Sequence, residues 1–186
     1  MKTIEEHLDQ LRKMIQTEDF LWGKGLSNEI NIRIFCYKPG EEMAVRHFIQ
    51  QISTDQSLNC NLKVFNLYDI FLECCEDLDI MDAIPEMEEG DGSEFLLEQL
   101  RTAVGLEQYI EKIQYCGHRR GRDVLMITGV GEVFPFMRVH SLLEALQPYF
   151  TDIPIVVMYP GEFDGHQLKL FGELTPSDYY RAFNPF

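Results

Sequence analysis

The chain has 186 residues, 45% of them hydrophobic, and a formal net charge of −15. That is enough apolar material for one cored domain, and so acidic a surface repels nucleic-acid phosphates, so no direct nucleic-acid contact is expected. No apolar stretch reaches the ~18 residues of a membrane helix, and the amino-terminal segment MKTIEEHLDQLRK is charged and amphipathic, without a signal core. The expectation is a cytoplasmic protein that makes no membrane contact.

In chain order, Thr3 and Glu6 fit a capping box ahead of Ile4, Leu8, Leu11 and Ile15, which share one face of a helix ending near Thr17. FLWGKGLSNEI reads as a loop carrying the only tryptophan, Trp22. Ile30 to Tyr37 alternates as a strand and Lys38-Pro39-Gly40 ends it. Glu41 and Glu42 start a helix whose stripe is Val45, Phe48, Ile49 and Ile52. Leu62 to Leu67 is the second strand, and a helical stretch follows through Cys75. Asp77 to Glu89 reads as a short helix and loop. Ser93 is placed to cap a helix with Phe95, Leu96, Leu97, Leu100 and Val104 on its apolar side. Leu106, Tyr109, Ile110 and Ile113 mark another helix.

Asp123 to Thr128 is almost continuously apolar, as befits a central strand covered on both faces. Pro135 suits the first turn of the next helix, which buries Val139, Leu142, Leu143 and Leu146 and stops before Pro148. Ile153 to Tyr159 is the fourth strand, Leu168 to Phe171 a fifth at an edge, and the aromatic tail SDYYRAFNPF closes the core. Strand, helix, strand at this spacing is a right-handed βαβ unit. The fold expected is a single α/β domain over 1–186. Four to five mostly parallel strands carry helices on both faces and a small helical insertion at about 69–118.

The pair Gly129 and Gly131 sits where a phosphate-binding loop would sit. A P-loop needs G-x-x-x-x-G-K-[ST], and Gly129 is followed by V-G-E-V-F-P-F, with no lysine or hydroxyl in place. The dinucleotide fingerprint fails at Phe134, where its third glycine belongs. Glu132 sets a carboxylate where a phosphate would lie, and Pro135 removes a backbone donor. A shaped turn is therefore expected, not a phosphate cradle. Arg138 and His140, two residues apart, would not share a helical face. Arg138 is free to anchor a carboxylate from the next loop, and His140 is spaced to pair with Glu144. In YPGEFDGHQLKLFG, the pair Asp164 and His166 is too small a set for a metal site. The five cysteines, Cys36, Cys60, Cys74, Cys75 and Cys116, have neither C-x-x-C nor zinc-finger spacing and are expected as reduced thiols. No metal or other cofactor is called for, and no catalytic residue is identified. A ligand or partner loop, if present, is expected at the carboxyl edge of the sheet around Gly129, Gly131, Arg138, His140, Tyr159, Gly161 and Asp164. Two charge blocks complete the pattern. Glu73 to Glu98 holds eleven acidic residues and no lysine or arginine, and Arg119, Arg120 and Arg122 form a short basic cluster.

TGVGEVFPFMRVHSLLEALQP, then DIPIVVMYPGEFDGHQLKLFGEL and YYRAF, resembles the BrxB family, the small B component of BREX (bacteriophage exclusion) defence systems. KGLSNEINIRIFCYKP and EFLLEQL also look like family segments, whereas the acidic stretch and the Cys74-Cys75 pair lie outside the pattern. The resemblance implies a non-enzymatic accessory or assembly subunit that supports host DNA methylation and phage exclusion. It implies partners among the larger BREX proteins: the alkaline-phosphatase-like PglZ component, the methyltransferase PglX component and the AAA+ ATPase BrxC component. The alternative is a nucleotide-binding or hydrolysing enzyme that uses the carboxyl-edge crevice.

Overall fold

The computed structural model describes residues 3–24, 31–163, 167–174 and the backbone of 184–185. Its centre is the strand that the apolar run marked. In β3 (Asp123–Thr128) every residue is buried. Around it lie β1 (Ile32–Tyr37), β2 (Asn61–Asn66), β4 (Ile155–Phe163), β5 (Leu168–Leu170) and β6 (Asn184–Pro185). The order is β2-β3-β4-β1-β6, all parallel, and β5 pairs antiparallel with the far end of β4. The mostly parallel α/β sheet is therefore as expected. Register follows the side-chain alternation: Ile34 faces Val157, and Leu125 faces Ile155.

The two faces have different helices. On one lie α1 (Ile4–Met14), α2 (Glu18–Leu21) and α3 (Glu42–Ser53), packed on Phe35, Tyr37, Val124, Met126, Val156 and Met158. On the other lie α4 (Leu67–Asp77), α5 (Ile84–Asp91), α6 (Ser93–Ala103), α7 (Leu106–Ile113), α8 (Val130–Val133) and α9 (Val139–Leu146), over Ile32, Ile34, Leu125, Ile127, Ile155 and Val157. The chain moves from β1 across the sheet to β2 by way of α3. It then returns through β3 to β4 on the opposite face. Reversing both direction and face keeps a single crossover hand. Because β1 is an inner strand, Phe35 and Tyr37 are buried along with Ile32 and Ile34, and the strand is not half-exposed as simple alternation suggests.

Helix starts follow local chemistry. Thr3 and Glu6 form the capping box of α1. Thr17 caps α2, so Phe20 and Leu21, read as loop, are helical and buried. Asn66 caps α4 by accepting from the amides of Tyr68 and Asp69. Ser93 departs from its expected role: Gly92 precedes the first turn, and the Ser93 hydroxyl donates to Glu88 instead. Leu96 and Leu100 of α6 and Val104 just after it are buried, while Phe95 faces out. In α9 all four expected apolar positions are buried. Their removal from water contributes roughly 6–10 kcal/mol gross, an upper bound set by the extended-chain reference. Pro135 is not in this helix. The peptide Phe134–Pro135 is cis, and the segment from Phe134 to Met137 links α8 to α9. Two contacts hold that linker to the helices between β2 and β3. Phe136 stacks on Phe71 at 4.4 Å, and the Arg101 guanidinium donates to the Pro135 carbonyl at 2.7 and 2.9 Å.

At the amino edge of the sheet, Asp123 is a buried carboxylate with its own donor set. It accepts from Asn61 Nδ2 at 3.0 Å, the Arg119 amide at 3.1 Å and the Tyr115 hydroxyl at 3.3 Å. The basic cluster beside it is partly neutralised. Arg119 Nε lies 4.0 Å from Asp123, and Arg120 lies over the Trp22 ring. Nearby, Lys112 pairs with Glu73 and Asp77, and His118 with Asp152.

Candidate functional site at the carboxyl edge

Strands β1, β2 and β3 end at the same edge of the sheet, at Tyr37, Asn66 and Thr128. From there the chain leaves β1 toward α3 on one face and leaves β2 and β3 toward α4 and α8 on the other. This divergence opens a crevice, the usual ligand position in open α/β sheets. A cavity of about 450 Å³ lies there, lined by Tyr37, Glu42, Arg46, Asp69, Thr128 and Glu132 among others. A neighbouring cavity of about 250 Å³ shares Tyr37, Glu42, Arg46 and Glu132 and adds Gly131, Pro160 and Phe171.

The charge of the crevice is set by a chain of contacts. The Tyr37 hydroxyl donates to Glu42 at 2.7 Å, and Arg46 Nε donates to the same carboxylate at 2.8 Å. Arg46 Nη2 reaches across to Glu132 at 2.6 Å. The guanidinium that could meet an anion is thus held by two carboxylates, and Asp69 adds a third acid. Burial, reinforced by the bond to Glu42, pushes the Tyr37 phenol well above its ordinary range, so it stays a neutral donor.

Gly129, Gly131 and Gly161 have separate reasons. Gly129 adopts φ 73°, in the left-handed region, and a Cβ there would run into the Asn66 side chain that caps α4. Gly131 lies inside α8, where a Cβ would approach Phe171 and Pro160 at 2.9 Å. Gly161 lies within β4, with the Lys169 carbonyl of β5 against the place a Cβ would take. So the turn is shaped by packing, and its one-turn helix α8 places Glu132 in the lining of the crevice.

Arg138, His140 and Tyr159 come together elsewhere, in a cavity of about 160 Å³ on the α9 side. The helical-face argument that separates Arg138 from His140 does not apply, because Arg138 is extended (ψ 118°) and the helix begins at Val139. His140 makes no ion pair with Glu144; its ring lies 3.3 Å from the Ser141 hydroxyl. Burial lowers its pKa below the usual 6.5, opposed by Glu144 and helped by Arg138. Asp164 and His166 lie outside the described residues. The cysteines Cys36, Cys60, Cys74, Cys75 and Cys116 are free thiols. Among the described residues no group of three or more His, Cys, Asp or Glu side chains is arranged to hold a metal. No described helix is long and apolar enough to cross a membrane.

Sequence reasoning missed Arg46, Glu42, Asn66 and Asp69. The i, i+4 spacing of Glu42 and Arg46 could have signalled their pair. Their meeting with Glu132, 86 positions from Arg46, depends on the sheet order.

The comparisons agree with the motif resemblance. The family model described as "BREX protein BrxB" matches residues 63–184. A BREX protein BrxB of Bacillus cereus (strain H3081.97) is 38% identical over 98% of this chain and 97% of its own length. Another, from Escherichia coli O9:H4 (strain HS), is 26% identical over 97% of this chain and 90% of its own length. No solved structure matches the chain significantly. With a family match over most of its length and a full-length relative at 38% identity, the chain belongs to the BrxB family of BREX proteins.

Proposed function

We propose that this chain is a non-enzymatic assembly subunit of a BREX anti-phage complex. In that role it supports host methylation and phage exclusion by binding the larger components. The observation that carries this reading is the Arg46 clamp. At the position where an open α/β sheet would hold a phosphate, the guanidinium is occupied by Glu42 and Glu132 at 2.8 and 2.6 Å. A nucleotide entering there would have to break those pairs and lie against Asp69. The surface suits basic protein surfaces better than phosphates, given the net charge of −15. The partners in this reading are the phosphatase-like PglZ, methyltransferase PglX and ATPase BrxC components, and the protein works in the cytoplasm where they do. Affinity purification from cells carrying the intact defence locus tests it. Recovery of at least one large component in stable ratio is expected, and recovery of none at low salt overturns it.

The competing reading, a nucleotide-binding or hydrolysing enzyme, draws on the 450 Å³ crevice at the point where the connections diverge. Calorimetry with nucleotides and divalent cations separates the two. Saturable heat at millimolar nucleotide would favour the enzyme, and its absence favours assembly.

A further inference from the structure

The crevice and the α9 cavity differ in chemistry. The crevice is lined by Glu42, Asp69 and Glu132. Among the described residues lining the α9 cavity there is no carboxylate, and Arg138 and His140 are the titratable groups besides Tyr159. In a chain of net charge −15, this cavity has a guanidinium and no described acid in its lining, although Glu144, outside the lining, acts on the His140 ring. Arg138 is exposed and makes no ion pair or hydrogen bond with its side chain among the described residues. The other described lining residues are apolar, among them Val130, Met137, Val139, Leu168 and Leu170. Its volume of about 160 Å³ is close to that of apolar cavities, ~150 Å³, that hold a benzene ring.

We propose that this cavity is a binding site for a small carboxylic acid carrying one apolar group of about ring size. The apolar group fills the space between α9 and the Tyr159, Leu168 and Leu170 side of strands β4 and β5, and the carboxylate meets Arg138 at the mouth. The start of α9 adds to this: Arg138, in the N-cap position, makes no side-chain bond to the first turn. The amides of Val139 and His140 precede the first intrahelical donor, Leu142. His140 stays neutral near pH 7, since burial lowers its pKa, so Arg138 supplies the positive charge. A carboxylate suits this mouth better than a phosphate monoester, because the one guanidinium balances its single charge, whereas the ester carries about −1.5 to −2 near pH 7. The proposal does not rest on the assembly role; the ligand would bind to the isolated chain.

The test is an amide NMR titration of the full chain at fixed ionic strength. The probes are 3-phenylpropanoate and the matched neutral alcohol, 3-phenylpropan-1-ol. Saturable shifts are expected at Val139, His140 and Leu170, with a dissociation constant for the acid on the order of 1 mM, as suits a ligand of this size. The acid should bind about ten-fold more tightly than the alcohol. Arg138→Gln, at an exposed position, should remove most of that preference, leaving what the first-turn amides supply, and leave the alcohol unchanged. Absence of saturable shifts at these amides, or an acid preference undiminished by Arg138→Gln, overturns the proposal. A short peptide ending in phenylalanine with a free carboxylate provides a further arm. Tighter binding of that peptide than of 3-phenylpropanoate would assign the site to a chain terminus and overturn the small-acid assignment.

Discussion

Asp123→Ala is the most informative single perturbation of the fold. The carboxylate is buried at the start of the central strand and accepts three hydrogen bonds, from Asn61, Arg119 and Tyr115. Alanine leaves those part-buried donors without their acceptor. Hydrogen bonds to a charged acceptor contribute about 1.5–3 kcal/mol each, the longer Tyr115 contact less. Removing the carboxylate also removes the cost of burying its charge, which offsets part of the loss. The expected net destabilisation is about 3 kcal/mol. With a urea slope of ~2 kcal/mol/M, the unfolding midpoint should fall by roughly 1.5 M with the slope unchanged. Asp123→Asn keeps one acceptor oxygen and should lose about half as much. A midpoint shift below about 0.5 M for Asp123→Ala would refute the view that this carboxylate organises the amino edge.

Three other outcomes follow from the same geometry. Gly129→Ala forces a side chain into φ 73° and against Asn66. It should cost about 2–3 kcal/mol in urea unfolding, and a cost under ~0.5 kcal/mol would contradict the packing account of the turn. The His140 ring should titrate below 6.5 by proton NMR, because burial disfavours its charged form. Its folded pKa lies below the unfolded one, so the unfolded state binds more protons as pH falls from about 7, and stability is lost in that direction. His140→Gln should flatten this part of the pH profile, and a midpoint at or above 6.5 would remove the argument. Brief alkylation at pH 8 should label Cys116, which is exposed, ahead of the others. Burial pushes the Cys36 thiol up to about 12 and raises those of Cys60, Cys74 and Cys75. Peptide mapping that finds Cys36 modified first would contradict this.

The layers of the fold were legible where hydrophobic pattern alone decides them. β3 reads as continuously apolar because helices cover it on both sides, and α9 shows its four buried positions at helical spacing. The end of β4 was not legible. Pro160 and Gly161 look like strand terminators, yet the strand runs on to Phe163. At Pro160 the ladder to β1 finishes opposite Tyr37, and from Gly161 onward the partner is β5. The proline therefore falls where one set of neighbours gives way to another, and a proline is tolerated where a ladder donor is not required. Ser93 was misread because a serine before an apolar run fits a cap, whereas here Glu88 of the preceding helix claims its hydroxyl. What shapes the turn at Gly129, its approach to the Asn66 cap of α4, is a contact between separate strand ends. The Arg46 clamp was invisible for the same reason: β1 and β3 lie two places apart in the sheet, on either side of β4. Sequence spacing showed which residues could be charged neighbours along one helix, and only the strand order brings the Glu132 helix to Arg46.

The assembly role is tested most directly by purifying the tagged full chain from cells that express the whole BREX locus and quantifying what remains bound. The account expects at least one of the phosphatase-like, methyltransferase or ATPase components to be retained in constant ratio through size-exclusion chromatography. A chain that elutes free of all three at low salt would contradict it.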